Sequence, residues 1–466
     1  MIEPIHLGLN RPQYVSSPET LISALAWRAF PVNVPDQDGK AVGLRFRSEE
    51  AGTSTLTYRA TAPNREALDA FGVALSDAGI AGEANSVQLA SAIEMSVRGV
   101  AAAGGKSQAV SPLTPALALL QNPRGMMGSR NPPDIAEILE QMYALGRVNR
   151  EDITGASATQ QWLTASRFRL GRDALLNAVD VAAQKILLPA AGIGDGGPLA
   201  VESELSPTKS LPYLGIGTPF SWFRVAWDRL TSPEWVEALP PRVWVDWATT
   251  VLRLAYGMGF LWESLRYESL ARAIVSEGAI PAARAGTRHT VLPWRSSKLS
   301  VGDRDIAPLL ISRAHRAERI RQYLLEYYDE DSSVAELSRD AKARASLQLI
   351  LTSNETTRSG KNLWEASRYA LMTRAVGGDS ADYYGFLRAH GRRFLAPEPG
   401  TEWIAVIASL ACGSPSSSTT VHRVLSDLSG LGMRPELGDL IDLLERSGLS
   451  RGSADADQAL IVQSAY

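Results

Sequence analysis

Residues 243–262, VWVDWATTVLRLAYGMGFLW, are the most apolar stretch of the chain and the one that most restricts its fold. As a helix these residues would rise about 30 Å, the thickness of a bilayer core. Asp246 and Arg253 interrupt the run, and a charge at membrane depth is costly. The reading is a buried amphipathic helix, with no membrane partner. Its neighbourhood agrees. Trp222, Trp227, Trp235, Trp244, Trp247 and Trp262 all fall within 220–276. Tryptophans at helical spacing fill a core between helices; the other reading is a partner-binding face, where aromatics are enriched.

A chain of 466 residues exceeds one ordinary core, and about two to four domains are expected. Residues 17–30 read as a helix with Ser17 as its cap. Segments 40–47 and 54–60 alternate apolar and polar residues, as the arms of a hairpin do. Residues 64–79 place Leu68, Phe71 and Leu75 on one helical face. A small α+β domain over 1–110 follows. Residues 111–188 look helical: Ile135, Ile138, Leu139 and Met142 share a stripe. Residues 189–219 hold 11 Pro or Gly in 31 positions and read as a linker or long loop. A helical, Trp-rich domain is expected over 220–400, with four or five helices between 306 and 412. The fold class is mainly α, with a mixed N-terminal part and a separate module at 401–466.

The single cysteine, Cys412, rules out an internal disulfide and Cys-rich zinc sites and fits a reducing compartment. The opening residues show no basic segment followed by an apolar one, so a cytoplasmic location is expected. With a net charge of −3, attraction to nucleic acid must come from a local patch.

Gly105-Lys106-Ser107 ends like a phosphate-binding loop, G-x-x-x-x-G-K-[ST]. The first glycine belongs at position 100, which is Val100; Gly99 comes one step early. Residues 86–100 have helical spacing where a strand is required, and Pro112 and Pro115 stop a helix from following. A helix running into a glycine loop is the better reading. His315 and Glu318 have a metal-usable i, i+3 spacing, but no second pair accompanies them. Asp36, Asp38 and Lys40 read as a turn. Ser206 and Lys209 match S-x-x-K without the helix it needs. Cys412 reads as a packing residue. No metal site, no cofactor and no catalytic residue is expected from these motifs.

The clearest charge asymmetry is residues 284–321. Arg284, Arg288, Arg295, Lys298, Arg304, Arg313, Arg316, Arg319 and Arg321 stand against Asp303, Asp305 and Glu318. Guanidinium groups bind phosphates, and Trp294 among them could stack on a base. Arg284, Arg288, Arg295, Lys298, Arg313 and Arg316 are the candidate contacts to DNA or RNA. The alternative is a solvated face neutralised by acids elsewhere in the fold.

The C-terminal residues 402–412, 420–432 and 435–449 read as three short helices, followed by a polar loop and a final strand. Gly430 and Gly432 turn the chain, Pro435 opens the third helix, Gly448 ends it. Leu425, Leu428, Leu437, Ile441 and Leu444 supply a small core. This pattern, over about 402–466, resembles a winged helix-turn-helix module. In DNA-binding members the third helix enters the major groove with basic or polar side chains. Here it carries Glu436, Asp439, Asp442 and Glu445, which would repel phosphates, so the resemblance implies a module turned toward protein.

Together these features suggest a non-catalytic scaffold or adaptor subunit of a multi-protein cytoplasmic assembly, one acting on nucleic acid being the more specific form. Other protein subunits are the expected partners. Direct nucleic-acid binding through 284–321, and an enzyme whose site converges from distant residues, are the alternatives.

Overall fold

The computed structural model describes residues 5–29 except 13 and 16, 33–35, 41–43, scattered positions between 69 and 80, 86–119 except 97 and 102–107, 135–149, 157–190, 211–276, 290–374 except 330–331, and 381–466 except 392–393 and 452–459. Helices dominate them, and the few strands are short.

A helix of 35 residues, Pro241–Val275, forms the axis. Pro241 suits the first helical position, where no intrahelical N–H is lost, and no later proline breaks the run. At 1.5 Å per residue it is about 52 Å long. Helices Pro219–Leu230, Ala307–Tyr327, Ala341–Thr352 and Arg358–Leu371 pack around it. Every residue from Trp247 to Ala271 is buried. The expected amphipathic helix is therefore covered on all sides, which a helix apolar around its circumference requires. All six tryptophans of 220–276 are buried, so they fill the core and offer no partner face. No helix among the described residues is long and apolar enough to cross a membrane.

The main core draws on distant parts of the chain. It joins Leu7 and Val15, helix Thr20–Ala29, the stripe Ile135, Ile138, Leu139 and Met142, the tryptophan-rich helices, and C-terminal Leu428, Leu444 and Val462. A smaller core packs Leu75, Ala90 and Leu117 against Val179 and Ala183 of helix Ala174–Ala190. Apolar contact thus runs across position 110 and across position 400.

Several local readings shift. The first helix starts at Thr20, three residues after Ser17, whose main-chain oxygen accepts from Thr20 N at 3.2 Å. Strand Ala41–Gly43 pairs antiparallel with the upstream Asn33–Pro35; residues 54–60, the expected partner, lie outside the described residues. Strands Arg98–Ala101 and Gln108–Val110 also pair antiparallel. Residues 102–107 are outside the described residues; Gln108–Val110 after them is a strand, whereas a phosphate loop is followed by a helix. Helix Ser86–Ser96 before them is as expected. A hairpin, Leu387–His390 with Phe394–Pro397, interrupts the helices of the 306–412 region.

Two helices meet with almost no gap at Gly360. A Cβ built there would lie 2.4 Å from His315 Nδ1 and 2.6 Å from His315 Cα. Gly360→Ala is therefore expected to push helix Arg358–Leu371 off helix Ala307–Tyr327 and to cost about 1–3 kcal/mol, measurable by urea unfolding. Gly430→Ala, where nothing lies within 4 Å, is the control and should leave the midpoint nearly unchanged.

Candidate interaction face

The C-terminal elements run helix Thr401–Cys412, strand Ser418–Thr420, helix Val421–Gly430, helix Leu437–Arg446, strand Ser450–Arg451 and strand Ile461–Gln463. The three strands are antiparallel, with the last between the other two. Thr420 caps the second helix, its side chain accepting from Arg423 N at 3.3 Å. Gly432 makes the turn between second and third helices at φ +84. A Cβ at that position would meet Val291 Cγ2 at 2.2 Å, so both backbone angle and contact demand glycine.

Val291 is the start of a segment that the basic stretch contributes to this region. Val291 N and Leu292 N both donate to Gly432 O, at 2.8 and 3.3 Å. Trp294 then packs edge-on against Phe386 and Trp403, with ring centroids 5.3 and 5.9 Å away. It is buried, which corrects its reading as an aromatic free to stack on a base. Ser297 reaches the third helix: its N and Oγ donate to Asp439 Oδ2 and Oδ1 at 3.1 and 2.7 Å. Although partial burial works the other way, these bonds and the nearby Lys298 hold the Asp439 carboxyl below the usual range. Asp439 is thus engaged within the chain.

The two candidate sets therefore meet at one place. Arg295, Lys298 and Leu299 are exposed on the loop. Glu436, Leu437, Asp442 and Glu445 are exposed on the third helix or at its start. Asp442 pairs with Arg446 of its own helix at 3.6 Å, both outside the core. Leu437 was expected in the small core. It is 53% exposed, and Leu440, Leu443 and Leu444 take the buried positions. The helix begins at Leu437, two residues later than Pro435, and that placement turns Leu437 outward at the first turn. Sequence reasoning had no signal for Ser297 or Leu299, because only the fold brings that loop to the helix.

The rest of the basic stretch lies elsewhere. Arg284 and Arg288 are outside the described residues. Arg313 is buried; its Nη1 donates to Val291 O at 2.8 Å, and its Nε lies 3.4 Å from Glu268 Oε2. Arg316 Nη2 donates to Glu268 Oε1 at 3.1 Å, and Arg272 reaches the same oxygen at 2.8 Å. Burial alone would raise the Glu268 carboxyl; Arg272, Arg316 and Arg313 outweigh it and hold it below its ordinary value. Arg313 and Arg316 are thus corrected from phosphate contacts to counter-ions of a core-facing carboxylate. Arg304, Arg319 and Arg321 likewise pair with Glu398, Glu355 and Glu318, at 2.8, 2.9 and 3.3 Å.

His315 and Glu318 do not converge on a metal. His315 Nδ1 accepts from Thr357 N at 2.9 Å, and Glu318 pairs with Arg11 and Arg321. Among the described residues no group of three His, Cys, Asp or Glu could hold an ion. The Cys412 thiol lies 3.6 Å from Val462 O and is pushed up to about 11 by burial, so little thiolate exists at neutral pH. Asp36, Asp38, Lys40, Ser206 and Lys209 lie outside the described residues. The described face presents exposed Leu437 and carboxylates on the helix, and exposed Leu299, Arg295 and Lys298 on the loop that Ser297 ties to it. No protein-family model matches this sequence, and no curated protein matches it significantly.

Proposed function

We propose that the chain is a scaffold or adaptor subunit of a multi-protein assembly, and that it docks through a C-terminal winged-helix module. The order helix, strand, helix, helix, strand, strand, with the last strand central, supports the winged-helix reading. One observation carries the docking reading: Leu437 stands 53% exposed at the start of the third helix, with Glu436, Asp442 and Glu445 also exposed. An apolar anchor in a charged rim is the composition of a protein contact. Carboxylates on this helix repel phosphates, so the partner is a protein with a basic surface. The single cysteine supports a reducing, cytoplasmic setting.

Glu436→Lys, Asp442→Lys and Glu445→Lys combined are expected to weaken partner retention on the order of 100-fold while leaving thermal stability unchanged. The check is affinity purification of both proteins from native cells, followed by size-exclusion chromatography. A wild-type chain that elutes alone, or a variant that keeps the same partner in the same ratio, overturns the reading.

Direct nucleic-acid contact is favoured by one observation, the exposure of Arg295 and Lys298. With Arg313 and Arg316 spent on Glu268, a small cationic set remains. If it binds, affinity falls with added salt, and Arg295→Glu with Lys298→Glu lowers it at least tenfold. Binding unaffected by both sinks this alternative.

A further inference from the structure

A groove of about 280 Å³ opens between helix Pro219–Leu230 and helix Val421–Gly430, the second helix of the C-terminal module. Trp222, Leu410 and Ile216 give it an apolar lining, and Ile216 at the rim is 73% exposed. Three charged side chains complete it: Arg229, Arg423 and Asp427. Arg423 Nε lies 3.3 Å from Asp427 Oδ1, so these two largely neutralise each other. Arg229 is different. Its Nη1 donates to Leu410 O at 2.5 Å, and no carboxylate among the described residues lies within ion-pair distance of it. The groove thus holds two guanidiniums against one carboxylate, with Arg229 at its wall bonded to a main-chain oxygen and answered by Asp427 only beyond ion-pair distance.

A guanidinium has five N–H donors arranged to grip a planar anion. Burial already weighs against the Arg229 charge, and Asp427 offsets this only in part; an anion beside it would supply the missing stabilisation. The apolar lining requires the rest of the occupant to be apolar. Its volume lies just below the range of ligand pockets, about 300–1,000 Å³, so the occupant is a small metabolite. We propose that this groove binds a small carboxylate with an apolar body, Arg229 taking the carboxylate and Trp222 and Leu410 the body. Because the two walls belong to the central helical body and to the C-terminal module, occupancy strengthens the contact between them and raises the unfolding temperature.

The test uses the full chain, with sodium octanoate as probe and 1-octanol as its uncharged counterpart, read by isothermal titration calorimetry and thermal unfolding. Octanoate is expected to bind saturably with a Kd at or below about 1 mM and to raise the unfolding temperature. The alcohol is expected to bind at least tenfold more weakly, and Arg229→Gln to weaken octanoate at least tenfold. Since Arg229 also caps the end of helix Thr401–Cys412, a second variant guards against misfolding: Ser426→Trp, at an exposed lining position, should block the groove and abolish the heat of binding. No saturation in that range, equal affinity for acid and alcohol, or full binding by Ser426→Trp overturns the proposal.

Discussion

Arg11→Ala is expected to lower the unfolding free energy by about 3–5 kcal/mol, the range for stripping the partner from buried charges. Arg11 sits in an N-terminal segment whose Ile5, Leu7, Leu9 and Val15 are buried. Its Nη2 donates to both oxygens of Glu263, at 2.7 and 2.9 Å, and its Nη1 pairs with Glu318. Both carboxylate side chains are only 2% exposed, against 27% for Arg11, so removing the guanidinium strips two buried charges of their direct partner. Burial disfavours the Arg11 charge, but Glu263 and Glu318 outweigh that and hold it above its ordinary value.

The same cluster sets a pH signature. Burial raises the Glu263 carboxyl, and Arg11 is the first force opposing it. In the variant that opposition is gone, and the repulsion from Glu318 remains. A carboxyl with a folded-state pKa above its unfolded one binds more protons when folded, so stability is greatest below the unfolded value and falls as pH rises through the folded one. The variant should therefore recover stability from pH 8 to pH 5, and recover it more than the wild type does. Urea unfolding at both pH values is the check. A loss under about 1 kcal/mol, the range of an exposed pair, with no pH dependence, would mean the cluster is solvated.

Arg253→Met should be equally damaging, again about 3–5 kcal/mol, for a different reason. Arg253 lies within the apolar run that defines the central helix, and its side chain is 3% exposed. It grips Asp382 with both Nη atoms at 2.9 Å. It also donates to Ala370 O at 2.8 Å and Met372 O at 2.9 Å, where helix Arg358–Leu371 ends. Asp382 in turn accepts from Arg374 N at 3.3 Å and Tyr384 N at 3.1 Å. One guanidinium thus ties a helix end and the following loop to the axis. Methionine fills similar volume, so the cost falls on the stranded Asp382 charge and on two carbonyls. Adding Asp382→Asn removes that charge and keeps an acceptor for one of the two N–H groups, which bond different carboxylate oxygens. The double variant should be more stable than Arg253→Met alone, a coupling that double-mutant analysis resolves. Equal or additive loss would show that Asp382 is not held by Arg253.

Residues 243–262 show how far local pattern reaches. Their apolar run announced a buried helix, and the interrupting Arg253 argued against a membrane span. Nothing local to Arg253 named Asp382, 129 positions away. The candidate face divides the same way. Acidic residues on the third C-terminal helix were legible because helix and charge are both local properties. The pairing of Asp439 with Ser297 was not, nor was the outward turn of Leu437, since both depend on which surfaces approach that helix. The basic stretch divides the same way: its charge excess is legible along the chain, but that Arg313 and Arg316 meet Glu268 from another helix is not.

Hydrophobic periodicity, a relation among residues three and four apart, pointed by itself to a mainly helical chain, and packing decided that its tryptophans are core. Ion pairing, strand partnering and exposure are relations between elements. Only the packed fold decided that Arg11, Arg253 and Arg313 are internal counter-ions and that Arg295, Lys298 and Leu437 reach solvent. A buried charge must find its counter-charge wherever the chain brings one, and that distance is not written in sequence separation.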